Sequence, residues 1–381
     1  MKIVNICLTG PYNEGWGYQE NLLSKYQSIN GNEVTVITSR FVTIKSSNKS
    51  FNIVNQEEYV NEDNVKVIRL DFYLSKMFSF VFRKYQKLEA TLENENPDLI
   101  FIHGLQSLAV YDIISYKKKH PQVRLIVDNH ADYTNTALNL PYKLFNKLFW
   151  KQSAKALSPY VDKFYGVLPI RCDFLTEMYG VDKNKIELLV MGADDHKVEL
   201  GQNNRDKIIK KYQMKESDFT ILTGGKIDKY KKETLELMKV VNDLEENIKL
   251  IVFGSVEAEL KDEFNKLLSP KILYLNWLNQ QDIYDLLTTV DLAIYPGRHS
   301  VLWEQSVGSG CPCVFRYLNK SQHVNVHDNC LFLKRADYSE MKEVIERLYN
   351  DTDFYNKLKN NTKEYGMKEF SYQEIAKKSI S

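Results

Sequence analysis

The feature that most constrains this chain is an alternation of two kinds of segment. Short apolar, largely β-branched runs at residues 3–8, 33–38, 65–70, 99–102, 124–127, 163–167 and 186–190 are separated by longer amphipathic stretches, among them 18–29, 105–118 and 170–179. Parallel strands need a crossover between them, usually a helix, so the pattern predicts βαβ units and a parallel sheet covered on both faces. Gly31-Asn32, just before the second run, has the character of a helix C-cap leading into a strand. A second series at 219–223, 249–253, 272–275, 292–295, 313–315 and 330–333, with helical patterns at 232–244 and 280–288, repeats the organisation. Between the two series, residues 195–214 are polar, charged and without a strand pattern, which predicts a linker there. A length of 381 residues agrees with two domains at about 150 residues each. The expected fold is therefore α/β, two doubly wound domains at 1–195 and 196–365 facing across a cleft. Such sheets take ligands at the carboxyl ends of their strands.

Composition narrows the function classes. Lys+Arg 51 against Asp+Glu 50 leaves a formal charge of +1, so no global basic field supports nucleic-acid binding as the main activity. Cys7, Cys172, Cys311, Cys313 and Cys330 are scattered, mostly in apolar runs, and read as reduced thiols of a cytoplasmic protein rather than a disulfide or zinc framework. Residues 1–8 are too short for the apolar core of a leader and read as a first strand. Apolar runs are broken by charges such as Lys76, Arg83 and Lys84 before reaching a bilayer-spanning length, so membrane contact, where it occurs, is peripheral.

Three loops carry candidate chemistry. Thr9-Gly10-Pro11-Tyr12-Asn13-Glu14-Gly15-Trp16-Gly17 joins the first strand to a helix, and amides around Gly15 and Gly17 at such a turn suit an anion; a plain tight turn fits equally well. The loop lacks both the GxGxxG fingerprint and the G-K-[ST] of a P-loop. In the second half, Gly224-Gly225-Lys226 and Lys231 lie between a strand and a helix. Two cations five residues apart can grip a diphosphate and neutralise charge that grows as it leaves, although a solvated lysine cluster is the competing reading. The third loop, from Tyr295-Pro296-Gly297 through His299-Ser300 to Glu304-Gln305 and Gly308-Ser309-Gly310, opens a helix near Ser300 and closes it at Gly310. A helix start of this kind suits a sugar phosphate, and a carboxylate or amide one turn in suits ribose hydroxyls.

Taken in order, these segments resemble the family 4 glycosyltransferases of the GT-B fold over nearly the whole chain. Residues 31–38, Gly-Asn-Glu-Val-Thr-Val-Ile-Thr, are similar to that family's "GHEVTVIT" strand, and Met191-Gly192-Ala193-Asp194 to its "NGVD" turn. Gly225-Lys226 and Lys231 stand where the family has "GR" and, five residues past the Arg, a Lys that together clamp the donor diphosphate. Gly254-Ser255-Val256-Glu257 stands where it has "G-x-G-P-E". Glu369-Phe370-Ser371-Tyr372 resembles the "FSW" helix that crosses back onto the first domain, which makes 366–381 that helix. The departure is at the family's E-x7-E motif. Gln305 takes the second Glu position in the register set by Gly310-x-Pro312, whereas Glu304 takes it by residue type. No glutamate stands at the first position, and His299-Ser300 replaces "F-G" near the sugar.

The resemblance implies transfer of a sugar, with retention, from a UDP- or GDP-sugar to a hydroxyl acceptor on a glycan, glycolipid or protein glycan, without cofactor or metal. It also implies bacterial polysaccharide or glycoconjugate biosynthesis. The departed motif keeps two alternatives open, a non-catalytic GT-B partner subunit and a nucleotide-sugar epimerase. His130, after the strand ending at Asp128-Asn129, stands at the family's "HD"-type position, where a His contacts the donor sugar. His103 reads equally as a core histidine. His323 and His327 are four apart but sit in a loop-like context, against a metal-binding helix. Residues 72–87 and 142–151 combine rings with lysines. They fit either packing on the first sheet or docking at the inner face of a membrane carrying a lipid-linked acceptor.

Overall fold

A computed structural model describes residues 1–44, 47–136 and 139–381, with the side chains of 44–50 and 142 left undescribed; Tyr142, which opens the second aromatic stretch, therefore lies partly outside the described residues. The chain forms two compact units, Met1–Val190 together with Ile375–Ser381, and Met191–Glu374.

In the first unit the strands are β1 (Lys2–Cys7), β2 (Glu33–Ser39), β3 (Phe41–Ile44), β4 (Ser47–Ile53), β5 (Glu58–Val60), β6 (Lys66–Leu70), β7 (Leu99–His103), β8 (Arg124–Asn129), β9 (Lys163–Gly166) and β10 (Ile186–Leu188). Among the described residues eight of them form one sheet in the order β10-β9-β8-β7-β1-β2-β6-β5, parallel except for the edge strand β5. The central strands are buried on both faces: β1 exposes only Lys2, and β7 is buried throughout. Even polar Asn5 in β1 is enclosed, donating to Gln27 Oε1 at 2.7 Å on the covering helix Gln19–Ile29. The antiparallel hairpin β3–β4 and the edge strand β5 have no counterpart in the sequence reading, because residues 41–60 are rich in Asn, Ser, Lys and Glu and show no buried alternation.

The second unit holds β11 (Phe219–Gly224), β12 (Ile248–Phe253), β13 (Ile272–Tyr274), β14 (Leu292–Tyr295), β15 (Cys313–Arg316) and β16 (Cys330–Leu333), all parallel in the order β13-β12-β11-β14-β15-β16. One expectation is corrected here. Residues 195–214 are not an irregular linker but carry the helices Asp195–Asn203 and Arg205–Lys211. Their apolar stripes are narrow, with Val198 and Ile208 the buried apolar side chains of the two helices, so the surrounding polar sequence hides the helical period. The turn Met191–Asp194 is held within this unit by Ala193 N donating to Phe370 O at 2.8 Å and Tyr372 N donating to Ala193 O at 3.2 Å. Residues 375–381 close on the first unit, where Tyr165 and Arg124 donate to the carbonyls of Lys378 and Ile380 at 2.9 and 2.8 Å.

Each sheet reverses its strand order once among the parallel strands, between β7 and β1 in the first unit and between β11 and β14 in the second. Loops leaving the carboxyl ends there diverge to opposite faces and leave a crevice.

Candidate functional site

In the first unit the loops after β1 and β7 are tied together, Thr9 Oγ1 donating to the His103 carbonyl at 2.8 Å. Gly104 follows with φ +89°, and a Cβ on it would come within 2.9 Å of the Thr9 side chain, so the approach requires glycine. One strand further along, β8 delivers Asp128, which is fully buried. His103 Nδ1 and His130 Nε2 both reach the same oxygen, Asp128 Oδ2, at 2.8 and 3.1 Å. Burial alone would push the Asp128 carboxyl up, but the two imidazoles outweigh it and hold it well below the usual carboxylate range. Burial draws the His130 imidazole down, the charge of Asp128 draws it up, and the result lies above the ordinary value. The loop after His130 is fixed by Asp132, which receives Arg171 Nε at 3.1 Å and Thr134 N at 2.7 Å, while Asn135 Nδ2 donates to the His130 carbonyl at 2.9 Å. His130 thus carries a half-exposed imidazole on a rigid loop. Sequence reasoning weighed His103 as core and gave Asp128 no role; its signal was a carboxylate at the carboxyl end of a buried strand.

The glycine-rich loop is shaped by its neighbours. Asn13 Oδ1 accepts from Thr43 N at 2.8 Å, Glu14 accepts from the Tyr59 hydroxyl at 2.8 Å, and Gly15 adopts φ +68°. Gly15 and Gly17 thus sit between a pinned turn and the helix that starts at Gln19.

In the second unit the loops after β11 and β14 meet at the reversal. Gly225 has φ +106° and Gly254 φ +120°, and a Cβ on Gly254 would stand 1.8 Å from the Gly225 carbonyl oxygen. The two lysines differ sharply. Lys226 is exposed and paired with Glu257 at 2.7 Å. Lys231 is tucked in: its Nζ lies 3.2 Å from where a Cβ of Gly225 would be, and its Cα 3.0 Å from that of Gly297. Burial lowers the Lys231 ammonium from its ordinary value. Among the described residues it has no carboxylate within ion-pair distance, Asp228 acting on it only from further off, so the loop glycines enclose an ammonium without a direct ion pair.

The short helix Leu302–Gly308 carries Glu304 and Gln305, both buried. It is closed by Gly310 at φ +76° and by Cys311 N donating to Ser306 O at 3.1 Å. Trp303 stacks on Phe315 with centroids 4.5 Å apart and meets the His299 ring edge to face at 5.0 Å. Glu304 Oε1 receives His299 Nε2 at 2.7 Å and His323 Nε2 at 2.8 Å. Burial pushes this carboxyl up, and the two imidazoles more than offset that, leaving it down at about 2. Gln305 reaches elsewhere, to the Tyr284 hydroxyl, which also accepts from Asp194 N at 3.0 Å. Ser300 Oγ is buried and among the described residues has no hydrogen-bond partner. His323, which sequence reasoning left without a role, is the missed member of this cluster; it enters from a turn nineteen residues beyond Glu304, a distance no local motif spans.

The chemistry is thus divided between the units. One offers an imidazole on a carboxylate relay, the other an enclosed ammonium beside strained glycine turns. The residues of each His–carboxylate–His group stand close enough to hold a cation. Each group is also a hydrogen-bonded cluster, in which His103 Nε2, Asp128 Oδ1, Glu304 Oε2 and His323 Nδ1 are buried without a partner among the described residues.

Two family models match the chain: Glycosyltransferase Family 4 over residues 21–197 and Glycosyl transferases group 1 over residues 204–365. Among curated proteins none matches the sequence. Solved structures similar to this chain include a glycosyltransferase from Rickettsia africae, at TM-score 0.69 and 13% identity, covering 100% of this chain and 96% of that one. Another is Anabaena HepE in complex with UDP and glucose, at 0.65 and 13%, covering 99% and 98%. A third is the UDP-GlcNAc 2-epimerase of Neisseria meningitidis bound to UDP-GlcNAc, at 0.62 and 11%, covering 100% and 98%. At these identities the likeness is one of fold.

Proposed function

We propose, for a chain that belongs to the family 4 glycosyltransferases of the GT-B fold, transfer of a hexosyl group with retention from a UDP- or GDP-sugar to a hydroxyl of a glycan, glycolipid or protein glycan. Nucleotide-sugar glycosyltransfer is the activity its family supports. The observation that carries the finer reading is Lys231, an ammonium enclosed by Gly225 and Gly297 at a sheet reversal with no carboxylate partner among the described residues. A leaving nucleotide diphosphate supplies the missing charge. Lys226 adds a second cation from the rim once Glu257 releases it, Gly254 and Gly225 let the backbone approach, and the amides at Gly15 and Gly17 suit a further anionic contact. In this reading the lysines, rather than a metal ion, collect the charge.

His130 serves the transfer step in this proposal, its imidazole held in orientation by Asp128. His299, Ser300 and Glu304 attend the donor sugar and ribose, with Gln305 next to them on the same helix. The departed motif favours a second reading, a non-catalytic partner subunit, because Glu304 is already engaged by two histidines. The epimerase reading has the similar epimerase fold in its favour. The proposal places the protein in the cytoplasm in bacterial polysaccharide assembly, with the first unit touching a membrane through residues 72–87 and 142–151. No helix among the described residues is long and apolar enough to cross one.

The deciding experiment follows nucleotide diphosphate release across a panel of UDP- and GDP-sugars. Release with one donor, lost in Lys231→Ala, is the expected result. Conversion of the sugar without release points to an epimerase, and absence of both across the panel to the silent subunit.

A further inference from the structure

The first unit contains a cavity of about 550 Å³ that none of the groups above uses. Phe80, Pro141, Phe145 and Trp150 wall it, and Arg83 and Asn146 add the polar character. Arg83 is unusual on three counts. It caps the helix Lys76–Phe82 in the left-handed region, at φ 52° and ψ 45°, which a residue with a Cβ adopts at a cost. Its position is locked all the same, Ser107 Oγ donating to the Arg83 carbonyl at 2.5 Å and Arg83 donating to the Gln106 carbonyl at 2.7 Å. Finally, among the described residues its guanidinium has no carboxylate partner, only that carbonyl and the face of Trp150, 5.7 Å from the ring centroid. Burial draws the guanidinium down from its ordinary value. A partly buried cation held in a strained backbone without an anion marks a place for one.

The rim of the cavity says what else the ligand carries. Among the described residues no Asp or Glu lines the cavity and Arg83 is its one charged side chain; residues 72–88 and 133–161, which supply most of its wall, carry seven further lysines and no acid, Lys84 being paired with Asp112. The two segments meet through their rings, Phe82 lying 5.7 Å from Phe149. On the helical stretch from Leu140, Leu144 and Leu148 follow at four-residue spacing and all three are exposed, as is Met77 on the facing helix. An exposed apolar stripe beside a cationic, acid-free pocket complements an anion with an alkyl chain attached.

We propose that this cavity binds an anionic amphiphile, a phosphate on Arg83 with its alkyl chain along Leu140, Leu144 and Leu148, and that the acceptor is such a lipid phosphate carrying the hydroxyl to be glycosylated. The word acceptor rests on the transferase reading; the binding site does not. The test measures binding of dodecyl phosphate and dodecyl maltoside, both below their micellar concentrations, and of inorganic phosphate, by calorimetry on the full chain. The parent binds dodecyl phosphate at least tenfold more tightly than either other probe. Arg83→Gln abolishes that preference, and so does Phe80→Glu, a change at a half-exposed wall residue that leaves the backbone intact and introduces a repelling charge. Equal affinity for dodecyl phosphate and dodecyl maltoside, or a preference intact in both variants, overturns the proposal; inorganic phosphate binding as tightly as dodecyl phosphate overturns the amphiphile. Dodecyl phosphate bound with the expected preference by a protein that releases no nucleotide from any donor sinks the transferase reading and keeps the site. Sugar transfer to a soluble neutral acceptor by a protein that ignores dodecyl phosphate does the reverse.

Discussion

At the residue scale the informative groups are those whose charge the fold leaves half-answered. Lys231 and Lys226 look equivalent in sequence, yet one is enclosed and bare while the other is exposed and paired. Lys231→Ala is therefore expected to weaken nucleotide diphosphate binding at least tenfold, a loss of roughly 1.5–3 kcal/mol for a charge-assisted contact, and Lys226→Ala to weaken it less, because Glu257 competes for that ammonium. Calorimetry with UDP and GDP measures both; equal losses would refute the distinction. For His130 the elevated titration depends on Asp128, so Asp128→Asn is expected to lower the imidazole midpoint read by NMR. With the elevation gone, the protonated fraction near pH 7 falls, and turnover should fall more than donor affinity. An unmoved midpoint would show that the relay does not set the charge of His130. Little of this was visible beforehand: the spacing of the lysines and the place of His130 after a strand could be read, but the exposure and pairing of the lysines depend on Glu257, Gly225 and Gly297 closing around them, and the second imidazole on Asp128 arrives only once β7 and β8 lie side by side.

At the element scale, Glu304 joins three pieces of the second unit, the loop after β14 through His299, its own helix, and the turn at Gln322–Val324 through His323. Its carboxyl is held at about 2 against an ordinary 4.5. A depressed carboxylate contributes stability that is complete above the unfolded value and is lost as pH falls through the folded one. The lost amount is on the order of 3 kcal/mol between about pH 5 and pH 2. Melting temperatures across that window should fall steeply in the parent and more gently in Glu304→Gln; parallel curves would remove Glu304 from the acid transition. The glycine turns make a second expectation. Gly254→Ala places a methyl group against the Gly225 carbonyl at φ +120° and should destabilise the second unit by at least 1–3 kcal/mol from backbone strain alone, read by chemical denaturation. The parallel strands were legible because double burial writes itself as an unbroken apolar run, as in Leu99–Ile102 of β7. The hairpin at 41–53 was not, since its sequence is polar and shows no alternation, and neither were the helices at 195–211, which bury too few apolar side chains to impose a period on a polar sequence.

At the scale of the whole molecule, the chain passes between its units twice, at residues 190–191 and again at 374–375. The boundary expected from sequence, at 195–196, fell on the polar stretch, whereas the units part at the turn after Val190. Because Ile375–Ser381 belongs to the first unit, a chain ending at Glu374 loses the bonds from Arg124, Tyr165 and Gln27 to residues 378–380, and calorimetry should show the first unit melting at a lower temperature. An unchanged first transition would make those contacts incidental. Synthesis on the ribosome meets the same arrangement as a delay. The first unit waits through the 184 residues of Met191–Glu374 before residues 375–381 are made, roughly 10 to 40 s at ribosomal elongation speeds, with the groove for them open to whatever chaperone or nascent neighbour reaches it first.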